Sequence, residues 1–200
     1  MTRRLLHRYV LRPLMRWLTG AVVHHSERLP AAGPAIVFAN HNSHIDTALL
    51  MAAFPTELID SVRPLAAADY WFANRVASWF SRHVVGAIAV DRSGDAADPL
   101  AAADAALSAG DIVILFPEGT RGEPGRLGRF HSGVVRLAAA HPEAVVIPVW
   151  LAGCDRVLPP HRRLPRRVRC SVTIGAAVGV AGGNPRSAAD ALRQRLVALA

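Results

Sequence analysis

Ala35-Ile36-Val37-Phe38-Ala39-Asn40-His41-Asn42-Ser43-His44-Ile45-Asp46 opens with five consecutive apolar residues and passes within one peptide into a run of polar, acid–base side chains. A short apolar run with β-branched and aromatic members, bounded by polar residues, reads as a buried strand from Ala35 to Ala39. Beyond Asp46 the apolar run Ala48 to Phe54 reads as a helix, Thr47 to Ala53. Strand, polar turn and helix in that order form the first half of a β-α unit. In α/β folds the carboxyl end of such a strand is where ligands bind.

The alternation continues along the chain. Further strands are predicted near Ala87 to Val90, Ile112 to Phe116, Val145 to Trp150 and Val168 to Ile174, and helices at Tyr70 to Ser81, Pro99 to Ser108 closed by Gly110, Ser132 to Ala140 and Ser187 to Leu199. This argues for a single α/β domain in which helices flank a parallel or mixed sheet. There is no internal repeat. The loop Gly119 to Gly128 and the Pro- and Arg-rich segment Leu158 to Arg169 read as exposed, anion-facing loops.

His41 and Asp46 are five residues apart, about 140° around an ideal helix, so they cannot share one regular face. They can meet if His41 lies in the turn and Asp46 in the first helical turn. A carboxylate on one imidazole nitrogen fixes the tautomer and leaves the other nitrogen free to take a proton from an alcohol. A second reading stands beside this one: Ser43-x-x-Asp46 ahead of an apolar run is also a capping box, in which Asp46 merely bonds back to the helix start. A metal held by His41, His44 and Asp46 is a third, though no fourth ligand is nearby in sequence.

Three further stretches could carry chemistry. Gly86-Ala87-Ile88-Ala89-Val90-Asp91-Arg92 ends a strand in an Asp-Arg pair, which serves equally as a surface ion pair. In Phe116-Pro117-Glu118-Gly119-Thr120-Arg121, Gly119 permits close backbone approach, and Thr120 and Arg121 offer a hydroxyl and a bidentate guanidinium to phosphate oxygens. The bland alternative is a Pro-Gly turn with a solvated arginine. Val145-Val146-Ile147-Pro148-Val149-Trp150 is a buried strand whose proline suggests a bulge or an edge position.

The 200-residue chain is 52% apolar and only 19% charged, with a mean hydropathy of +0.24, which excludes intrinsic disorder. The longest stretch free of Asp, Glu, Lys and Arg, Leu29 to Ile45, contains Pro30, Gly33, Pro34 and the polar run Asn40 to His44, so it is no membrane span. The chain contains no Lys; its 23 basic residues against 15 acidic ones give a charge of +8 and draw it to anions. Nucleic acid is disfavoured, because acidic residues sit inside the motif blocks and the arginine loop has no interleaved aromatics for base stacking. Cys154 and Cys170 have no zinc-site spacing, which fits a reducing, cytoplasmic setting without a disulfide framework.

From Arg3 to Val23, Arg4, Arg8, Arg12 and Arg16 recur every four positions while Leu6, Val10, Leu14 and Trp17 fall opposite them. This is the pattern of an interfacial amphipathic helix, with the arginines at phosphate level, Trp17 in the interface and a kink at Pro13. The arginines interrupt every apolar run long enough for a secretory signal. The expected organisation is a membrane-associating helix over residues 1–25 and one domain over 26–200. The same apolar face could instead pack on that domain.

In order, His41-x4-Asp46, Gly86 to Arg92, Phe116 to Arg121 and Val146 to Trp150 resemble the four sequence blocks of the glycerolipid acyltransferases, specifically the PlsC-type lysophosphatidic acid acyltransferases, over roughly residues 25–180. The NHxxxxD and FPEGTR blocks are individually distinctive and stand about 75 residues apart. The resemblance implies a glycerol-3-phosphate acyltransferase-like fold and transfer of a fatty acyl group from acyl-CoA or acyl carrier protein to a lysophospholipid hydroxyl, with no other cofactor. It implies His41 as general base and Asp46 as its orienting partner. It places Arg92, Glu118, Gly119, Thr120 and Arg121 at the acceptor's phosphate and Pro148 near the donor or the site wall.

An acyl-enzyme is not expected, since neither cysteine has a nucleophile's setting and there is no GxSxG. Phe130-His131-Ser132-Gly133 departs from the family by carrying His131 at a commonly basic position, and Gly175-Ala176-Ala177 lacks the usual turn proline. Tyr70, Trp71, Phe72, Trp79 and Phe80 form an aromatic face, either core or acyl-tunnel wall. The expected acceptor is lysophosphatidic acid; another lysolipid, an amino-lipid or a glycolipid, or an inert anionic-lipid-binding role, are the alternatives. The expected location is the cytoplasmic face of the membrane, peripheral or monotopic.

Overall fold

Ala35–Ala39 is fully buried along its whole length because it runs through the middle of a sheet covered on both faces. The structure, a computed structural model, describes residues 2–67, 75, 79, 81, 85–90, 98–122, 126–158, 164–180 and 182–200. Among them are strands β1 (Val22–His24), β2 (Ala35–Ala39), β3 (Val62–Ala67), β4 (Ile88–Val90), β5 (Ile112–Leu115), β6 (Val145–Ala152) and β7 (Ser171–Ile174). Their order is β1-β7-β6-β2-β5-β3-β4, parallel at every pairing except β6 with β7. The helices are α1 (Thr2–Leu6), α2 (Arg12–Thr19), α3 (Asp46–Ala53), α4 (Ala101–Ser108), α5 (Gly133–Ala140) and α6 (Pro185–Val197).

The period-2 geometry of β2 divides the core. Ala35, Val37 and Ala39 face a layer containing Met15 and Leu18 of α2 and Leu49 and Leu50 of α3. Ile36 and Phe38 face Leu107 of α4, Val134 and Leu137 of α5, and Leu192 and Leu196 of α6. The expected α/β domain with a mixed, helix-flanked sheet is therefore present, and the five predicted strands all appear. The helix expected at Tyr70 to Ser81, with its aromatic face, lies largely outside the described residues.

Two strands escaped the sequence pattern. In β3, Arg63 and Pro64 interrupt the apolar run; the strand pairs with β5 over Val62 to Pro64 and with β4 over Leu65 to Ala67, so the proline stands where the strand changes partner. β1 is only three residues long. Pro148, expected at a bulge or edge, lies in a central strand. Its carbonyl accepts from Gly175 N–H at 2.8 Å just past the end of β7, and because a strand residue's N–H and C=O share an edge, its missing donor also faces that end.

The N-terminal segment is helical from Thr2 to Thr19, with Gly20 closing it in the left-handed region. Pro13 is accommodated in the first turn of α2 by a π-helical turn over His7–Leu11 immediately before it. The segment docks by its Arg3, His7, Met15 and Leu18 side. The Arg3 guanidinium donates to the carbonyls of Asp60, Val62 and Val85 at 3.1, 3.0 and 2.8 Å. Buried His7 holds the end of α3: Nε2–H donates to Met51 O at 3.0 Å, which leaves Nδ1 to accept from the Thr56 hydroxyl at 3.1 Å. The outward side carries Leu5, Tyr9, Val10, Leu14 and Trp17, all exposed, among Arg8, Arg12 and Arg16. Packing on the domain and an exposed amphipathic face thus coexist.

Candidate active site

β2 and β5 are parallel neighbours with Phe38 opposite Leu115, so the polar turn after β2 and the Phe116 to Arg121 turn leave the sheet side by side at its carboxyl edge. On the other flank, Asn40 continues the sheet with its side chain. Its Nδ2 donates to Leu151 O at 2.8 Å and its Oδ1 accepts from Leu151 N at 2.7 Å, reproducing a ladder pair where the main chain of β2 turns away.

The turn closes on one carboxylate oxygen. Asp46 Oδ2 accepts from the main-chain N–H groups of Asn42 and Ser43 at 2.6 and 2.7 Å and from His41 Nδ1 at 2.9 Å. A carboxylate only accepts, so Nδ1 carries the proton and Nε2 presents its lone pair. The helix-start bond and the imidazole contact therefore coexist, whereas Ser43 Oγ makes no reciprocal capping bond. Asp46 is fully buried, and the His41 side chain is 21% exposed. The imidazole stacks on Phe116, centroids 4.3 Å apart and planes at 21°. No hydrogen bond joins Nε2 to any described residue.

The neighbouring turn is locked to this one by Glu118. Its Oε1 accepts from His41 N–H and its Oε2 from Gly128 N–H, both at 2.8 Å, and Gly122 N–H donates to His41 O at 2.8 Å. A Cβ at Gly122 or Gly128 would come within 2.9 or 3.0 Å of Glu118 Oε2, so both glycines admit the carboxylate. Arg193 of α6 then grips the far side, donating to the carbonyls of Leu127 and Gly128. Gly119 adopts φ +71°, and a Cβ there would meet the His131 ring at 3.0 Å. The residue that departs from the family pattern thus packs against the FPEGTR turn.

Thr120 and Arg121 are exposed at the rim, with the Arg121 guanidinium against the His44 imidazole. Burial, then the charge of Arg121, holds the His44 pKa below its ordinary value, so the ring is neutral at pH 7 and can accept from Arg121. Arg92 lies outside the described residues. At the N-terminus, Arg4 is ion-paired with Asp60 at 2.7 Å, while Arg167 donates to Trp17 O and lies over the Trp17 ring, 5.2 Å from its centroid. The sequence reading overlooked Asn40, the stacking role of Phe116 and the bridging geometry of Glu118. The NH and FPE letters of the motifs flagged those positions without indicating their contacts.

The Acyltransferase family model matches residues 20–152, more than half of the chain, and the chain belongs to that family. Among curated proteins it is 28% identical over 183 residues to 1-acyl-sn-glycerol-3-phosphate acyltransferase alpha of Mus musculus, covering 87% of this chain and 61% of that protein. It is 31% identical over 140 residues to the chloroplastic 1-acyl-sn-glycerol-3-phosphate acyltransferase LPAT1 of Arabidopsis thaliana, covering 66% and 36%. The chain thus spans less than two thirds of the length of either relative. Its fold matches the crystal structure of the 1-acyl-sn-glycerophosphate acyltransferase PlsC from Thermotoga maritima with a TM-score of 0.75 at 21% identity, over 96% of this chain and 79% of that one.

Proposed function

We propose that this protein transfers a fatty acyl group from a thioester, acyl-CoA or acyl carrier protein, to the free hydroxyl of lysophosphatidic acid, giving phosphatidic acid at a membrane surface. The observation that carries the reading is the 2.9 Å contact between His41 Nδ1 and the buried Asp46 carboxylate, which leaves Nε2 open. The acceptor hydroxyl gives its proton to Nε2 as its oxygen attacks the thioester carbonyl. Asp46 holds the ring and stabilises the imidazolium that forms. Collapse of the tetrahedral intermediate breaks the C–S bond, and the imidazolium returns the proton to the leaving thiolate. The protein forms no covalent bond to the acyl group.

Arg121, with Thr120 and the Gly119 turn, fits the acceptor's phosphate; Arg92, by its place in the second block, is assigned there too. Glu118 fits a different role from the phosphate contact implied by the resemblance, since a carboxylate repels phosphate and both its oxygens already accept main-chain N–H groups. It braces the site. For the membrane, Leu5, Tyr9, Val10, Leu14 and Trp17 with Arg8, Arg12 and Arg16 supply an apolar face rimmed by cations. Arg167 extends it beside Trp17. Arg4, held by Asp60, serves docking of the helix. This surface suits the anionic cytoplasmic leaflet.

The test incubates purified protein, anionic vesicles and either acyl-CoA or acyl carrier protein with a panel of lysolipids, with mass-spectrometric detection of product. A new diacyl lipid from wild type and none from His41→Ala is the expected result, and the panel names the acceptor. Turnover retained by His41→Ala would remove His41 from the base role.

A further inference from the structure

Between Glu118 and the last helix lies a single peptide group. The Leu127–Gly128 unit gives its N–H to Glu118 Oε2 at 2.8 Å and offers its carbonyl to Arg193 Nη2 at 2.8 Å, and Arg193 Nε donates to the next carbonyl, Gly128 O, at 2.9 Å. In a trans peptide the N–H and C=O point to opposite sides. The carboxylate therefore meets the N–H edge and the guanidinium the C=O edge, so the peptide dipole lies between unlike charges in the favourable sense. Hydrogen bonds linked in this way polarise and strengthen one another. Beyond the peptide the line continues, since Glu118 Oε1 accepts from His41 N–H at 2.8 Å.

The apolar stripe of α6 sets where the guanidinium stands. Ala189, Leu192 and Leu196 are buried in the layer that covers Ile36 and Phe38. Half-buried Arg193 follows Ala189 by four positions and precedes Leu196 by three, so it leaves the edge of that stripe, beside the loop whose Leu127 packs on the same layer. The Nε and Nη2 edge of a guanidinium is a rigid fork that serves two successive carbonyls together, which an ammonium on a flexible stem does not match.

We infer that Arg193 is a positioning residue for the reaction: by clamping the Leu127–Gly128 peptide onto Glu118 it holds the His41 turn in place from α6. The inference rests on the proposed role of His41 as base. Arg193 lies outside all four sequence blocks and 65 positions from Gly128, so neither motif nor spacing marks it.

Two measurements test it. Amide hydrogen exchange, read residue by residue by NMR, compares wild type with Arg193→Ala. Exchange is expected to quicken about twofold to tenfold at Gly128 and at His41, the range of one hydrogen bond, while the Leu192 and Leu196 amides of α6 keep their rates. Quickening at Gly128 with His41 unmoved overturns the inference whatever the protein catalyses. Arg193→Lys, which keeps the charge and the stem and loses the fork, carries the same comparison if α6 loosens in Arg193→Ala. In acyl transfer, Arg193→Ala is expected to lower kcat by a similar factor and Arg193→Lys by less, with acceptor KM little changed. Because Arg193 acts through Glu118, the same substitution made in Glu118→Ala is expected to cost little further kcat. An equal loss in both backgrounds is what packing of the helix alone predicts, and it overturns the inference. Should His41→Ala retain turnover, the proposed function fails while the exchange result still decides whether Arg193 holds the His41 turn.

Discussion

Glu118 and His41, from turns that follow different strands, are joined by a 2.8 Å hydrogen bond from the His41 main-chain N–H to the Glu118 carboxylate. The other oxygen of that carboxylate takes Gly128 N–H, so one buried side chain ties the His41 turn to the loop that flanks it. A brace of this kind sets the position of the imidazole. Glu118→Ala strands two main-chain donors, each costing about 1–3 kcal/mol when buried unpaired. The expected result is a lower melting temperature and a fall in kcat, with little change in acceptor KM. Glu118→Gln is expected to rescue poorly, because an amide carries one acceptor oxygen where two are used. A selective rise in acceptor KM would return Glu118 to the phosphate.

Arg121 rests on His44, which is neutral at pH 7 because burial and the adjacent guanidinium lower its pKa. Arg121→Ala is expected to raise the KM for lysophosphatidic acid more than it lowers kcat. On the acid side of the ordinary histidine value, about 6.5, His44 gains a proton and repels Arg121, so acceptor KM rises as pH falls. His44→Gln removes that rise. Steady-state KM against pH in the two proteins decides it; identical profiles would release His44 from this role.

His7 pins the N-terminal helix to the end of α3 as a neutral, buried ring whose pKa is lowered chiefly by burial. The unfolded chain therefore binds a proton more readily than the fold does. The stability this contributes is complete above about pH 6.5 and is lost as pH falls toward and through the lowered folded value. His7→Gln is expected to melt lower at neutral pH yet decline less steeply on acidification. Thermal denaturation of both proteins between about pH 7.5 and 5 reads the difference in slope.

Trp17 and Leu14 stand exposed among Arg12 and Arg16, with Arg167 lying over the indole. Trp17→Asp is expected to weaken binding to anionic vesicles by roughly tenfold or more, the equivalent of losing about 1.5–3 kcal/mol of apolar burial. Reversing Arg12 and Arg16 to Glu weakens it further and lessens the loss of binding that added salt causes. Sedimentation with vesicles of varied anionic content measures both. Unchanged partitioning would place the membrane contact elsewhere.

Much of the scaffold is legible in the chain because it depends on local pattern. Ala35–Ala39, Ile112–Leu115 and Val145–Ala152 are apolar runs of strand length, and Asp46–Ala53 follows its polar turn as a helix should. β3 was not legible, since Arg63 and Pro64 make sense only once two different neighbouring strands are known to share it. Nor was the central place of Pro148, which depends on β7 ending beside it.

By itself the sequence determined the α/β class, the resemblance to the glycerolipid acyltransferases and the identity of the His41 and Asp46 pair, because residue type and short spacing carry those facts. Only the tertiary structure decided that one Asp46 oxygen serves the helix start and the imidazole together. It likewise decided that Glu118 is committed to backbone, that Asn40 completes the ladder at Leu151, and that the N-terminal helix both docks on α3 and exposes an apolar face. The Asp46 contacts span only three to five residues, and there the folded turn decides that one oxygen serves both partners. In the other cases a hydrogen bond joins residues 44, 77 or 111 positions apart, and such pairings depend on strand order, register and packing, which local spacing does not contain.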